Sequence, residues 1–600
     1  MQASLAPIPT PHRLSAILLL LAATFHLPPA AFAGTIDPAL AEHLAVAADS
    51  TPAPVLIFLA DQTPIGAIDA DLRAEHATRS IRHERVIRAL RVTAETTQGP
   101  LRAALAALAA RGEVRELMPF WIVNAVAARM SAAAVRVIAE RPDVGLVALD
   151  ARVALADGAV DSEGADPTAL AGATPGLRAI GADRVWHELG ITGAGRIVCG
   201  LDTGVMGSHP ALAARWRGAE PGIPWQWAWK DVLGGNTHFP IDPNGHGTHT
   251  MGTMLGLAAA SSDTFGVAWG AQWIACNAID QSVGPAFNSD VIACFQWIAD
   301  PDGDPQTTSD VPDVTTAAWR VNEQLGYPDC DARWWGAIDA CEAAGCAVVF
   351  SAGGEGPGPQ TIGSPADRIT SPTNALAIGA VSAQAGESFP YAIAPFSSRG
   401  PSGCDGVTIK PELVAPGVNI RSSTNNGSYA YWSGTAMTVP HVAGVIALMR
   451  EADPDLDVTT AKQILLETAR DEGAPGEDNT YGVGFIDAYA AVSRVLATQG
   501  IDRGEAPPAG RLELQSQPNP FHPGAAVRYA IPSRGRVELH VLDVQGRSVR
   551  TLVDDVVDAG EHRVPFDGRS DRGDELPSGT YFLRLQAGDL TATEKLGIIR

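Results

Sequence analysis

Three short segments hold residue types that could carry acyl transfer. Asp202-Thr203-Gly204 follows the apolar run Ile197-Val198-Cys199-Gly200-Leu201, at the strand end where open α/β sheets present functional groups. Asn244-Gly245-His246-Gly247-Thr248-His249-Thr250 opens a helical run over 251–255. Gly434-Thr435-Ala436-Met437-Thr438-Val439-Pro440-His441-Val442-Ala443-Gly444 is a glycine-flanked turn that opens another helix. A carboxylate that orients an imidazole, and an imidazole that takes up a proton, supply the acid–base half of such chemistry.

The elements around these segments must position them. From 176 to 498, apolar strands alternate with helical patterns, which predicts a parallel α/β sheet flanked by helices. Strands are expected over 196–201, 273–277, 346–350 and 375–381. Ahead of it, 54–155 reads as a compact α+β segment. Its expected order is a strand at 55–59, helix through 70–110 with Leu101, Leu105 and Leu108 on one face, strands at 114–118 and 121–128, a helix at 132–140 and a strand at 144–149. A polar linker follows the central domain at 499–510. The remainder, 511–600, changes to short alternating strands over 527–531, 536–544, 562–565 and 580–585. Turn signals at roughly ten-residue spacing predict a small β-sandwich.

Composition narrows the function classes. Lys and Arg total 43 against 67 Asp and Glu, a net charge of −24, which argues against nucleic acid or an anionic membrane as partner. No internal run of about 20 apolar residues occurs, so no transmembrane segment is expected beyond the N-terminus. Residues 1–33 read as a secretory signal: His12 and Arg13, an apolar stretch over 14–25, and Ala31-Phe32-Ala33 before Gly34. A secreted or cell-surface location follows. The seven cysteines (199, 276, 294, 330, 341, 346 and 404) leave at least one thiol unpaired within the chain, and their spacing lacks the paired CxxC of a zinc site. Cys199, inside an apolar run, reads as a buried and inert thiol.

The three segments together resemble the subtilisin family of serine peptidases, in the order Asp, His, Ser. Phe396-Ser397-Ser398-Arg399-Gly400-Pro401 and Lys410-Pro411-Glu412-Leu413-Val414-Ala415-Pro416-Gly417-Val418 extend the resemblance over about 320 residues. It implies a subtilisin-like parallel sheet, with Asp202 as the orienting carboxylate and His246 as the general base. His249 and His441 are expected to be structural.

At the nucleophile the sequence departs from the family. The family motif Gly-Thr-Ser-Met-Ala reads Gly434-Thr435-Ala436-Met437-Thr438 here, so the position of the nucleophile is Ala436, and a methyl group has no lone pair to attack a carbonyl. Ser433 and Thr435 are the nearest hydroxyls and should point elsewhere around the turn. Ser351-Ala352-Gly353-Gly354-Glu355-Gly356-Pro357 resembles Ser-Ala-Gly-Asn-x-Gly-Pro, so Gly354 stands where an asparagine would donate to the oxyanion. In subtilisin, losing that donor costs about 10²–10³ in rate, and losing the serine roughly 10⁶. Val314-Thr315-Thr316-Ala317-Ala318-Trp319-Arg320 aligns with a family strand ending Ser-Trp-Gly whose backbone pairs with extended substrate. Trp319 and Arg320 are therefore substrate-binding candidates, and Arg320 sets a long cation where backbone approach is close.

The resemblance extends to the flanks. Residues 34–160 resemble the subtilase propeptide, notably Trp121-Ile122-Val123-Asn124-Ala125 and Pro142-Asp143-Val144. Without a serine, self-cleavage is not available, so the propeptide is expected to stay attached with its tail in the cleft. The C-terminal markers are Asn519-Pro520-Phe521-His522-Pro523, Leu542-Asp543-Val544-Gln545-Gly546-Arg547 and Ser578-Gly579-Thr580-Tyr581-Phe582. They resemble Ig-like domains of flagellar hook-capping proteins and sorting tails, which implies a partner in the secretion machinery. Three functions compete: a pseudopeptidase that binds a peptide or protein segment, a working endopeptidase with an unrecognised nucleophile, and a surface binding protein on a subtilase scaffold. No cofactor is required. Calcium is a candidate structural ion with unassigned ligands, and Asp300-Pro301-Asp302-Gly303-Asp304 is either its loop or a solvated acidic turn.

Overall fold

The computed structural model describes residues 34–46, 51–150, 160–161, 172–233, 237–258, 263–279, 287–371, 373–498, 512–517, 526–532, 535–557, 560–588 and 590–598. The expected signal at 1–33, the linker at 499–510 and the motif at 519–523 lie outside these residues.

A seven-stranded sheet forms the centre. Its order is Leu413–Pro416, Leu376–Val381, Ala347–Ser351, Val314–Ala317, Ile197–Asp202, Gln272–Asn277, Trp229–Asp231, and every neighbouring pair is parallel. All six residues of Ile197–Asp202 are buried, as expected of a strand covered by helices on both faces. Successive strands step outward on one side from Val314–Ala317, while Gln272–Asn277 and Trp229–Asp231 lie on the other side of Ile197–Asp202. The order thus reverses beside Asp202, and such a reversal opens a crevice at the carboxyl ends of the strands. Helices His246–Leu255 and Val439–Ala452 are buried along almost their whole length. Their apolar and small residues therefore run all round rather than in one stripe.

The N-terminal segment forms a five-stranded sheet in the order Thr35–Ile36, Val144–Leu149, Ala53–Leu59, Ala125–Met130, Val114–Phe120. Helix Arg79–Ala109 starts where Thr78 Oγ1 accepts from Ile81 N–H, and Ala132–Ala139 where Ser131 Oγ accepts from Ala134 N–H. The strand expected over 121–128 begins only at Ala125. Residues 121–124 form a turn because Asn124 takes φ 36° and its side chain is held by segments distant in sequence. Its Nδ2 donates to Asp61 O (2.6 Å) and Thr97 Oγ1 (2.8 Å). The turn docks on the central domain, with Trp121 N–H donating to Gln296 Oε1 at 2.7 Å. Leu56, Ile65, Val86, Ile87, Leu90, Phe120 and Ile122 join the same apolar core as the central sheet.

The C-terminal strands form two antiparallel sheets. One is Glu513–Gln517, Ala526–Ile531, Gly560–Pro565; the other is Ser548–Val557, Gly535–Leu542, Gly579–Ala587, Leu590–Ile598. They close over their own core of Val527, Ile531, Val537, Leu539, Leu583, Leu585 and Leu596. Cys276 pairs with Cys294 and Cys330 with Cys404, which leaves Cys199, Cys341 and Cys346 as buried thiols. Burial pushes the Cys199 thiol well up from its ordinary range, in keeping with an inert group. Among the described residues no helix is long and apolar enough to cross a membrane.

Candidate active site

Asp202 ends its strand and is buried. Its Oδ1 accepts from Thr203 N–H at 2.7 Å and lies 2.7 Å from His246 Nδ1; its Oδ2 accepts from the Thr250 hydroxyl at 3.2 Å. Because the carboxylate accepts, Nδ1 carries the imidazole proton and Nε2 is the nitrogen left to act as a base. Burial opposes charge on His246. The charge and hydrogen bond of Asp202, with the charge of Asp242, outweigh it, and the pKa is raised.

Backbone geometry brings the pair together. Gly245 precedes the His246 helix with φ 102°, a conformation that costs glycine little. Gly247 lies against the Asp202 strand end so closely that an added Cβ would stand 2.0 Å from Gly204 O. A side chain there would push the helix, and His246 with it, away from Asp202.

Asp242 completes the arrangement, and sequence reasoning passed it over. It accepts from Thr203 Oγ1 (2.9 Å), Asn244 N–H (3.0 Å), Gly245 N–H (2.7 Å), and the N–H (2.8 Å) and hydroxyl (2.6 Å) of Thr248. These bonds close the loop into the helix and satisfy its first amides. Burial nevertheless raises its pKa against them. An acidic residue four places before His246, ahead of Asn-Gly, was the available signal.

The other two histidines are structural. His249 stacks on Trp432 at 4.5 Å, and burial, reinforced by the charge of His246, lowers its pKa to about 3. His441 Nδ1 donates to Met437 O at 2.9 Å, and burial lowers its pKa to about 4. Both rings stay neutral and serve packing.

Ala436 occupies the short 3₁₀ turn Thr435–Met437 that leads into helix Val439–Ala452. The turn packs against the His246 helix and the strands Ala347–Ser351 and Leu376–Val381. The neighbouring hydroxyl oxygens accept from backbone amides. Thr435 Oγ1 accepts from Gly353 N–H at 3.2 Å, and Ser433 Oγ accepts from Asn419 N–H at 2.9 Å. Gly354, half-buried, follows Gly353 without a side chain to donate.

Trp319 is 3% exposed and packs its ring edge-on against Phe287, Trp334 and Phe350 at centroid distances of 5.5–5.7 Å. Its side chain belongs to the core, which leaves only its backbone for an extended ligand. Arg320 turns toward Glu355. Its Nε donates to Glu355 Oε2 at 2.9 Å, and its Nη2 pairs with Oε1, a two-pronged ion pair. Glu355 also accepts from Asn322 Nδ2 (3.3 Å) and Ser398 Oγ (3.1 Å). The guanidinium thus crosses beside Gly353, where an added Cβ would lie 2.8 Å from Arg320 Nε. The charge opposite in sign at Glu355 was the one sequence hint of this pair.

One further backbone contact reaches the site. Residues 160–161, downstream of the N-terminal sheet, pair antiparallel with the strand Tyr429–Ser433, in register Val160↔Ser433 and Asp161↔Trp432. Asp150, the last described residue before them, accepts from Ser289 Oγ (2.5 Å) and Ser289 N–H (3.1 Å) at the start of helix Phe287–Ala299. Chemically, the site holds an oriented base and a charged partner, but no hydroxyl facing that base from position 436.

Residues 193–484 match the Subtilase family, and residues 525–590 match the FlgD Ig-like domain. The chain is 32% identical over 440 residues to Bacillopeptidase F of Bacillus subtilis (strain 168), covering 70% of this chain and 29% of that protein. It is 30% identical over 335 residues to M-protease of Shouchella clausii (strain KSM-K16), covering 55% of this chain and 72% of that protein. It is also 30% identical over 310 residues to Subtilisin Savinase of Lederbergia lenta, covering 51% of this chain and 93% of that protein. The chain therefore spans under a third of the first of these relatives and most of the other two.

Proposed function

This chain belongs to the subtilase family, and on that premise we propose that it is an exported pseudopeptidase. It keeps the peptidase scaffold, has lost the hydrolytic step, and holds a peptide segment in its cleft. The observation that carries the reading is Ala436 in the turn whose family motif has serine, beside a formed His246–Asp202 pair. A general base without a nucleophile has no hydroxyl proton to remove. The bonds of Ser433 and Thr435 support it further, since each hydroxyl oxygen turns a lone pair to a backbone amide, of Asn419 and Gly353 respectively.

The occupant we assign to the cleft is the chain's own N-terminal region, acting as a retained propeptide. Backbone pairing of 160–161 with Trp432 and Ser433 supports this, because it sets a segment downstream of the N-terminal sheet against the strand that leads into the turn at 436. The C-terminal Ig-like domain we assign to sorting at the cell exterior, together with the expected signal at 1–33. Purified protein incubated with casein should release no fragments above buffer, and Ser433→Ala and Thr435→Ala variants should match it. Casein hydrolysis that disappears in either variant would identify a substitute nucleophile and end the pseudopeptidase reading.

A further inference from the structure

The loop after helix Phe287–Ala299 gathers acidic side chains far from the crevice chemistry. Asp300, Asp302 and Asp310 each present a carboxylate oxygen within 4.8 Å of the others. Asp300 is 5% exposed and Asp310 is 1% exposed. Asp310 Oδ2 accepts from Asp302 N–H at 2.9 Å, while Asp310 Oδ1 and Asp300 Oδ1 are buried with no hydrogen-bond partner among the described residues. Buried carboxylate oxygens left unbonded in a crowd of like charge are unfavourable unless a cation joins them. We propose that Asp300, Asp302 and Asp310 form a divalent-cation site of the calcium class, roofed by Arg91 from the N-terminal domain.

The donor chemistry favours the larger ion, because Mg²⁺ demands a near-ideal octahedron at about 2.1 Å whereas Ca²⁺ accepts irregular oxygen cages. All three donors are hard carboxylate oxygens, the ligand type calcium prefers.

Charge gives the second argument. Arg91, on helix Arg79–Ala109, pairs its Nη2 with Asp300 Oδ2 and donates from Nη1 to Gly303 O at 2.9 Å, with its guanidinium 5.2 Å from the Trp121 ring. Three carboxylates, one guanidinium and one divalent ion sum to zero, while without the ion the buried cluster keeps an excess of negative charge. The site would tie the N-terminal domain to the central domain through Arg91, independently of whether position 436 supports catalysis.

The test uses the full chain, stripped with EDTA and returned to Ca²⁺ or Tb³⁺. Added Ca²⁺ should raise the melting temperature in a saturable way, and Tb³⁺ should give luminescence sensitised by nearby tryptophan that Ca²⁺ displaces. Asp310→Asn and Asp302→Asn keep the side-chain shape and remove a charge. Each should weaken both responses at least tenfold, and Asp310→Asn should melt no lower than wild type in EDTA, which separates loss of binding from loss of fold. A wild-type chain indifferent to millimolar Ca²⁺, or either variant responding as wild type does, overturns the site.

Discussion

At the scale of single residues, the proposed reading has Ala436 present a methyl where an attacking hydroxyl would stand, with the His246–Asp202 pair formed near that turn. Restoring the atom should restore little by itself, because Gly354 also lacks the oxyanion donor. Ala436→Ser should process its own chain slowly, and adding Gly354→Asn should accelerate that by about 10²–10³. Gel time courses on the two variants measure the ratio, and equal rates would place the oxyanion donor elsewhere. Arg320 gives a second prediction. Replacing it with glycine leaves a Glu355 that is only 20% exposed without its main partner, at a cost of about 1–3 kcal/mol in denaturant melts. The double change Arg320→Gly with Glu355→Gln should recover most of that loss; an additive result would mean that the pair is uncoupled. Ala436 and Gly354 were singled out in the sequence because each interrupts a contiguous motif of the family it resembles. The Arg320–Glu355 pair was not, since it joins loops after two different strands, 35 positions apart.

Secondary-structure elements carry the docking of the N-terminal region. Helix Phe287–Ala299 begins beside Asp150, and its own Asp290 is 9% exposed and faces that carboxylate. Burial, then the charge of Asp150, raises the Asp290 pKa from 3.8 to about 7. Between those values the folded chain holds a proton that the unfolded chain has released, so this contribution is complete below about pH 4 and is lost as pH rises through 7. At about 1.4 kcal/mol per unit the span is of the order of 4 kcal/mol. Wild type should therefore lose stability relative to Asp290→Asn as pH climbs from 4 to 7.5 in paired urea titrations; parallel curves would contradict it. Four strands of the central sheet, at 197–202, 272–277, 347–351 and 376–381, were readable from apolar runs to within a residue at their ends, whereas Trp229–Asp231 and Leu413–Pro416 were not. The turn at 121–124 was not, because Trp-Ile-Val reads as strand and only the bonds of Asn124 to Asp61 and Thr97, distant in sequence, decide otherwise.

Across the whole molecule, the N-terminal and central regions share one apolar core, and ion pairs cross between them. Arg79 donates to Asp313 Oδ1 and to the carbonyls of Val311 and Pro312, each at 2.8 Å. Composition and motif order predict a succession of domains, but this fusion depends on surfaces that no local pattern encodes. On the proposed reading the chain does not cut itself and keeps both parts on one polypeptide. Intact mass of protein secreted by a host lacking other subtilases should fit a single species that retains 54–150, and a species starting between 150 and 176 would contradict retention. The loss of the nucleophile itself is tested most directly by a fluorophosphonate probe, which bonds covalently to an activated serine, applied to wild type and Ala436→Ser and read by peptide mass spectrometry. The expected result is no adduct on wild type and one adduct at position 436 of the variant; an adduct on wild type at Ser433, Thr435 or any other residue of the site would contradict it.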